Sequence, residues 1–158
     1  DSLLWVDIPV GKIHETNLET LQTVTTTLDT PVGAVAPFRV GENLAIACKE
    51  GFGIFADGKL DIRDPFLGDS NYRMNDAKCD ALGRFWGGSC QMDFETGKGK
   101  LHRWEGGKDD KVMVENMSLP NGIGRGITNQ VASEGIGSSG MRCNVLPQQF
   151  HGWYYCHS

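Results

Sequence analysis

Short apolar runs separated by turn residues fill most of the chain. In the first, LLWVDI at positions 3–8, Leu4, Val6 and Ile8 fall on one side of an extended strand and Trp5 on the other. A strand apolar on both sides is one sandwiched between neighbouring layers. Similar runs begin at positions 44 (LAIACK) and 84 (RFWGGSC), so about 40 residues separate each from the next. Each is followed by a glycine-led run: GKIH at 11–14, GFGIF at 51–55 and GKLH at 99–102. A third run follows at 21–27, 60–63 and 111–117. One more segment separates the repeats: VGAVA at 32–36, MNDAKCD at 74–80 and LPNGIG at 119–124. No apolar set at helical spacing extends beyond about two turns.

The repeating unit is therefore four short strands in about 40 residues, the period of a β-propeller blade. The expected fold is all-β: a partial β-propeller of about three blades, each of four antiparallel strands. The chain opens at the second strand of one blade, runs through two complete blades, and enters a fourth at Pro120-Asn121-Gly122. Such an array is not a closed ring. It leaves strand edges and an apolar face open, so self-association through open blade edges is expected. From Arg125 the alternation fades, Gly, Ser and Gln accumulate, and the expected Asp-Gly turn with its apolar strand pair does not follow. The division expected is 1–124 as partial propeller and 125–158 as an irregular tail, from a shifted reading frame or mis-splicing. A start at Asp1, directly inside a strand signal, places the true N-terminus upstream.

Composition changes the picture little. The 21 Gly against 6 Pro suit many tight turns. The net charge of −5, with both signs interspersed, excludes a phosphate-binding face, so nucleic acid is not a partner. No apolar stretch reaches the ~18–20 residues needed to span a bilayer, so no membrane is expected either. Five cysteines (Cys48, Cys79, Cys90, Cys143, Cys156) include no C-x-x-C pair. Free thiols in a reducing compartment follow, and with them a cytoplasmic location.

Chemistry concentrates in two segments. Arg73 and Asn75 alternate along a strand and share one side. A guanidinium and an amide converging there suit hydroxyl and carbonyl oxygens. Asn121 offers a hard neutral oxygen to a cation, although Asn121-Gly122 also reads as a simple turn pair. Asp76 and Asp80 flank the strand and are expected to satisfy turn N–H groups. Glu95, in the 94–99 loop, is a candidate carboxylate or an ordinary exposed one. His14 and His102 occupy equivalent repeat positions, which makes them surface or blade-packing residues.

The segments LLWVDIPVGKIH, PVGAVA, YRMNDAKCDALGRFWGGSCQMD and SLPNGIG, in that order and spacing, resemble the SMP-30/gluconolactonase/luciferin-regenerating (regucalcin-like) family. The R-x-N-D-x-K-x-D-x-x-G-R-F-W block is the most specific of these, and the resemblance ends near residue 124. It implies a six-bladed propeller holding one divalent metal in its central tunnel, Ca2+ or Zn2+, with Mn2+ or Mg2+ as alternatives. It implies hydrolysis of a small-molecule lactone, with Asn121 as a metal ligand and Arg73, Asn75 and Glu95 as substrate contacts. It also places a metal-binding Glu ahead of this segment, and beyond it an Asp that is both ligand and water-activating base. The expectation is therefore a metal-dependent lactone hydrolase whose present chain is an incomplete, impaired form with no catalytic residue of its own. A non-catalytic calcium-binding or regulatory propeller is the alternative, and an interaction scaffold a third.

Overall fold

The computed structural model describes residues 1–68, 71–107, 110–125, 131–137 and 140–145, with side chains through residue 124. Among these residues, fourteen strands form four antiparallel sheets, each a run of consecutive strands. The first sheet holds β1 (Ser2–Asp7), β2 (Lys12–Asn17) and β3 (Thr23–Thr27). The second holds β4 (Val32–Pro37), β5 (Leu44–Cys48), β6 (Phe52–Ala56) and β7 (Lys59–Asp64). The third holds β8 (Tyr72–Cys79), β9 (Phe85–Gln91), β10 (Gly99–Trp104) and β11 (Lys111–Met117). The fourth holds β12 (Pro120–Arg125), β13 (Val131–Gly137) and β14 (Gly140–Val145). This is part of a β-propeller: two complete blades between two three-stranded ones.

Strands β13 and β14 lie inside the stretch that the sequence leaves irregular. Their pairing extends from Pro120↔Gly135 through Gly137↔Gly140, so strand structure runs past residue 124. Backbone hydrogen bonding sustains these strands, although VASEGIG and GMRCNV lack the apolar alternation by which the earlier ones are legible. The rest of the 125–158 tail, His151, His157 and Cys156 included, lies outside the described residues.

Three apolar layers fill the spaces between blades. Ile13, Val32, Ile46 and Cys48 join the first blade to the second. Ala45, Ala47, Phe52, Met74, Phe85 and Trp104 join the second to the third, and Trp86, Leu101, Met117 and Ile123 join the third to the fourth. Neighbouring residues of one strand thus serve opposite layers, as Ile46 and Ala47 do on β5. This two-sided burial explains the continuous apolar runs of β5 and β9. Phe52 is the centre of the middle layer, fully buried, with the rings of Phe66, Phe85 and Trp104 at 5.3, 5.7 and 5.5 Å. Strand β1 departs from the sandwiched expectation. Leu4 and Val6 face the second blade, but Trp5 is 44% exposed and stacks on His14 at 3.9 Å. The first blade has a neighbour on one side only among the described residues.

Strands β4, β8 and β12 each open their sheet and lie side by side. Each carries one extra residue near its start, a β-bulge: at Val32/Ala34, Met74/Ala77 and Asn121/Gly124. Glycines allow the close approach. A methyl group at Gly33 would stand 2.5 Å from the carbonyl oxygen of Met74, and one at Gly88 would overlap the ring of Pro120. Among the described residues no helix is long and apolar enough to cross a membrane.

Candidate functional site

The bulges aim polar side chains. On β8 the bulge falls at Asn75 and Asp76, between the pairs Met74↔Ser89 and Ala77↔Gly87. It faces Gly88, where the missing side chain admits Pro120 of the next blade. Asn75 Nδ2 donates to the Pro120 carbonyl at 3.0 Å, and the Ile123 N–H donates to Asp76 Oδ2 at 3.1 Å. The two bonds clamp β12 onto β8 and bring Asn121 beside Asn75. Arg73, two residues before Asn75, donates through Nη1 to Asn75 Oδ1 at 2.8 Å and to the Met74 carbonyl at 3.0 Å. Its guanidinium carbon stands 5.6 Å from the centroid of the Phe94 ring. Arg73 and Asn75 therefore form one half-buried pair, tied through the Pro120 carbonyl to the backbone that leads into Asn121.

Asn121 is exposed, and its Oδ1 accepts the Gly122 N–H at 3.1 Å. The Asn-Gly pair is not a hairpin turn here. It opens the β12 bulge, where Gly122 takes a φ of 63° that a residue with a Cβ adopts at a cost. Glu95 has its ion-pair partner outside this group. It lies exposed on the β9–β10 loop, with Lys98 3.6 Å from its carboxylate.

Asp80 confirms the turn role expected of it and adds more. It accepts the Leu82 and Arg84 N–H groups at 2.9 and 3.0 Å, the Trp86 Nε1–H at 2.9 Å, and an ion pair from Arg84. Burial pushes its carboxyl upward. The bonds from Trp86, Arg84 and Leu82 outweigh that and hold it below the ordinary carboxylate range. Asp76 differs from expectation: it serves the next blade rather than its own turn.

Ser89, His102 and Asp110 make a second line, with Ser89 Oγ 2.9 Å from His102 Nε2 and His102 Nδ1 2.6 Å from Asp110 Oδ2. The order is that of a nucleophile, base and acid. The setting is not. Ser89 pairs with both Met74 and Lys100 in mid-sheet, so its backbone serves the ladder and its Oγ stands on a continuous strand rather than on a turn. His102 is buried and stacks on Phe66 at 4.3 Å. With Tyr72 and Lys100, the three residues line a cavity of about 280 Å3, and the ring of His102 is packed within the blade, as the repeated histidine position implies. A cavity of about 540 Å3 opens elsewhere, between Phe38, Cys79, Leu82, Phe85 and Trp104. It adjoins the far end of β8, roughly 20 Å from Arg73 at the rise of an extended strand, and is largely apolar.

Three thiols lie among the described side chains. Cys48, Cys79 and Cys90 are free. Burial, reinforced by the Glu50 carboxylate, pushes Cys48 up to about 12, and burial likewise raises Cys79 and Cys90.

Residues 1–126 match the SMP-30/Gluconolactonase/LRE-like region. The chain belongs to this family. A putative sugar lactone lactonase, YvrE of Bacillus subtilis, is 30% identical over 124 residues, covering 77% of this chain and 42% of that protein. An uncharacterized protein of Sulfolobus acidocaldarius is 24% identical over 135 residues, covering 82% of this chain and 47% of its own length. Among solved structures, a regucalcin described as calcium-binding, from Agrobacterium tumefaciens, superposes with a TM-score of 0.82 at 20% identity, covering 94% of this chain and 51% of that one. A luciferin-regenerating enzyme gives 0.73 at 19% identity, covering 90% and 56%. These likenesses show the family's propeller fold, and this chain spans about half the length of the relatives it matches.

Arg73, Asn75 and Asn121 are the sequence candidates that lie on or next to this hydrogen-bonded connection. Phe94, which packs on Arg73, is not among them, although a signal is there: an aromatic residue in a second-to-third-strand loop longer than those of the preceding blades.

Proposed function

We propose that the whole protein is a metal-dependent lactone hydrolase and that this segment supplies its substrate-orienting side. The observation that carries the reading is the Arg73–Asn75–Pro120–Asn121 connection at the bulged starts of two adjacent inner strands. Arg73 retains N–H donors beyond its two bonds, and their planar fork suits the oxygens of a sugar lactone. The bond from Asn75 to Pro120 fixes both its own amide and the backbone that presents Asn121, so neither has to be ordered when substrate arrives.

Asn121 fits as one ligand of a divalent cation, Ca2+ or Zn2+ by the family reading, because its side-chain oxygen is exposed and keeps a lone pair after accepting the Gly122 N–H. When bound, such a cation polarises the ester carbonyl and stabilises its oxyanion. One neutral oxygen does not hold it. Among the described residues no group of three or more His, Cys, Asp or Glu is placed to do so. The isolated chain is therefore proposed to bind metal weakly and to turn over lactone poorly. Edge strand β1, with β2 as its one partner among the described residues, offers open backbone groups through which isolated chains associate.

The test is hydrolysis of gluconolactone with Ca2+, Zn2+ or Mn2+, comparing the 158-residue chain with the full-length protein. Metal-dependent turnover by the full-length protein alone supports the reading. Metal binding without turnover in the full-length protein would favour a non-catalytic calcium-binding propeller.

A further inference from the structure

The connections between equivalent strands differ in length from blade to blade. Residues 8–11 join β1 to β2 and residues 49–51 join β5 to β6, whereas residues 92–98 join β9 to β10. In repeat folds an insertion confined to one unit commonly builds the binding face. The inserted loop rises beside Arg73. It is held by bonds from the Phe94 N–H to the Gln91 carbonyl at 3.1 Å and from the Met92 N–H to the Asn71 carbonyl at 2.8 Å.

Phe94 is the unusual residue in that loop. Its φ is 58°, in the left-handed region that suits glycine, and the loop uses a glycine at such an angle three residues on, at Gly97. The ring is 49% exposed, so it is not held there by core packing. One side of it carries the Arg73 guanidinium at 5.6 Å. The loop thus accepts backbone strain to hold an aromatic ring beside the Arg73 guanidinium, which is itself bonded to the Asn75 amide oxygen. A ring face next to hydrogen-bond donors is chemistry for a cyclic polyol: the ring takes the C–H face and the donors take the hydroxyls.

We infer that Phe94 is a specificity-determining residue, whose ring stacks on the sugar ring of a lactone held by Arg73 and Asn75. This rests on the lactone reading and narrows it to ring-hydroxylated lactones over unsubstituted ones of equal ring size. The experiment uses the full-length protein with metal, and compares gluconolactone with δ-valerolactone. Phe94→Ala should raise KM for gluconolactone about ten-fold while leaving δ-valerolactone within about two-fold, and Phe94→Trp should retain the sugar preference. Equal loss on both lactones, or no loss on either, overturns the inference. If the wild-type protein hydrolyses neither, the lactonase reading fails and binding decides the inference. Gluconolactam, an unreactive analogue, should then bind wild type and Phe94→Trp but not Phe94→Ala. Binding by all three, or by none, overturns it.

Discussion

The second and third blades are built on one repeat and differ where it matters. Both have four antiparallel strands, a bulge in the first, and a second strand buried on both faces. In the second blade the bulged strand reads VGAVAP and its extra residue is Gly33, pressed against the Met74 carbonyl. In the third it reads YRMNDAKC, and the same device turns out an amide and a carboxylate that grip β12. The connection after the second strand is short in one blade and extended in the other, where it brings Phe94 to Arg73. The common parts make the blade, and the departures make the site.

The largest effect should come from what the two blades share. Phe52 belongs to the second blade and buries its ring against Phe85 and Trp104 of the third. Phe52→Ala should cost about 3–5 kcal/mol, read by denaturant unfolding. A loss below about 1 kcal/mol would mean the two blades are not joined by this layer.

Next comes a group found only in the third blade. Asp80→Asn removes a charge that accepts four donors in a buried turn, and should cost about 1.5–3 kcal/mol near neutral pH. The corresponding turn of the second blade closes with a backbone bond from Phe38 to Asn43. The sign with pH follows from the lowered carboxyl of Asp80. Its contribution is fully present above the unfolded-state value and is lost as pH falls through the folded one. The gap between wild type and Asp80→Asn should therefore be flat at neutral pH and close in acid. A gap that widened in acid would contradict the bonding described.

The two blades are unequally legible in the sequence. Strand positions can be read in both because side chains on each face are apolar, and the 40-residue spacing repeats the pattern. Arg73 and Asn75 can be placed on one side of a strand by alternation alone. The bulge at Asn75 and Asp76 cannot, because it depends on Gly88 and Pro120, which alternation does not connect. Alternation accordingly assigns Asp76 to its own turn, whereas it serves the next blade. Strands β13 and β14 escape for the opposite reason. Their backbones pair, but their side chains carry no alternating signal.

Arg73→Lys sharpens the comparison at the site, since it keeps the charge and loses the planar fork. In the full-length protein KM for gluconolactone should rise about ten-fold, with stability lowered by about 0.5–1.5 kcal/mol through the bonds to Asn75 and the Met74 carbonyl. An unchanged KM would remove Arg73 from the substrate contacts and leave it as a support for Asn75.

Glu95→Gln should have the smallest effect, and it separates the two ways in which the long loop could act. The family resemblance makes Glu95 a substrate contact, whereas the geometry leaves it exposed with Lys98 as its ion-pair partner. An exposed pair of this kind contributes about 0–1 kcal/mol, so stability should barely move. If the loop acts through its aromatic ring, KM for gluconolactone should also stay within about two-fold, because hydrogen-bonded recognition then rests on Arg73 and Asn75. A ten-fold rise would show that the loop folds over bound substrate far enough to deliver a carboxylate. The third blade would then owe its function to the movement of its inserted loop as well as to the polar residues on its inner strand.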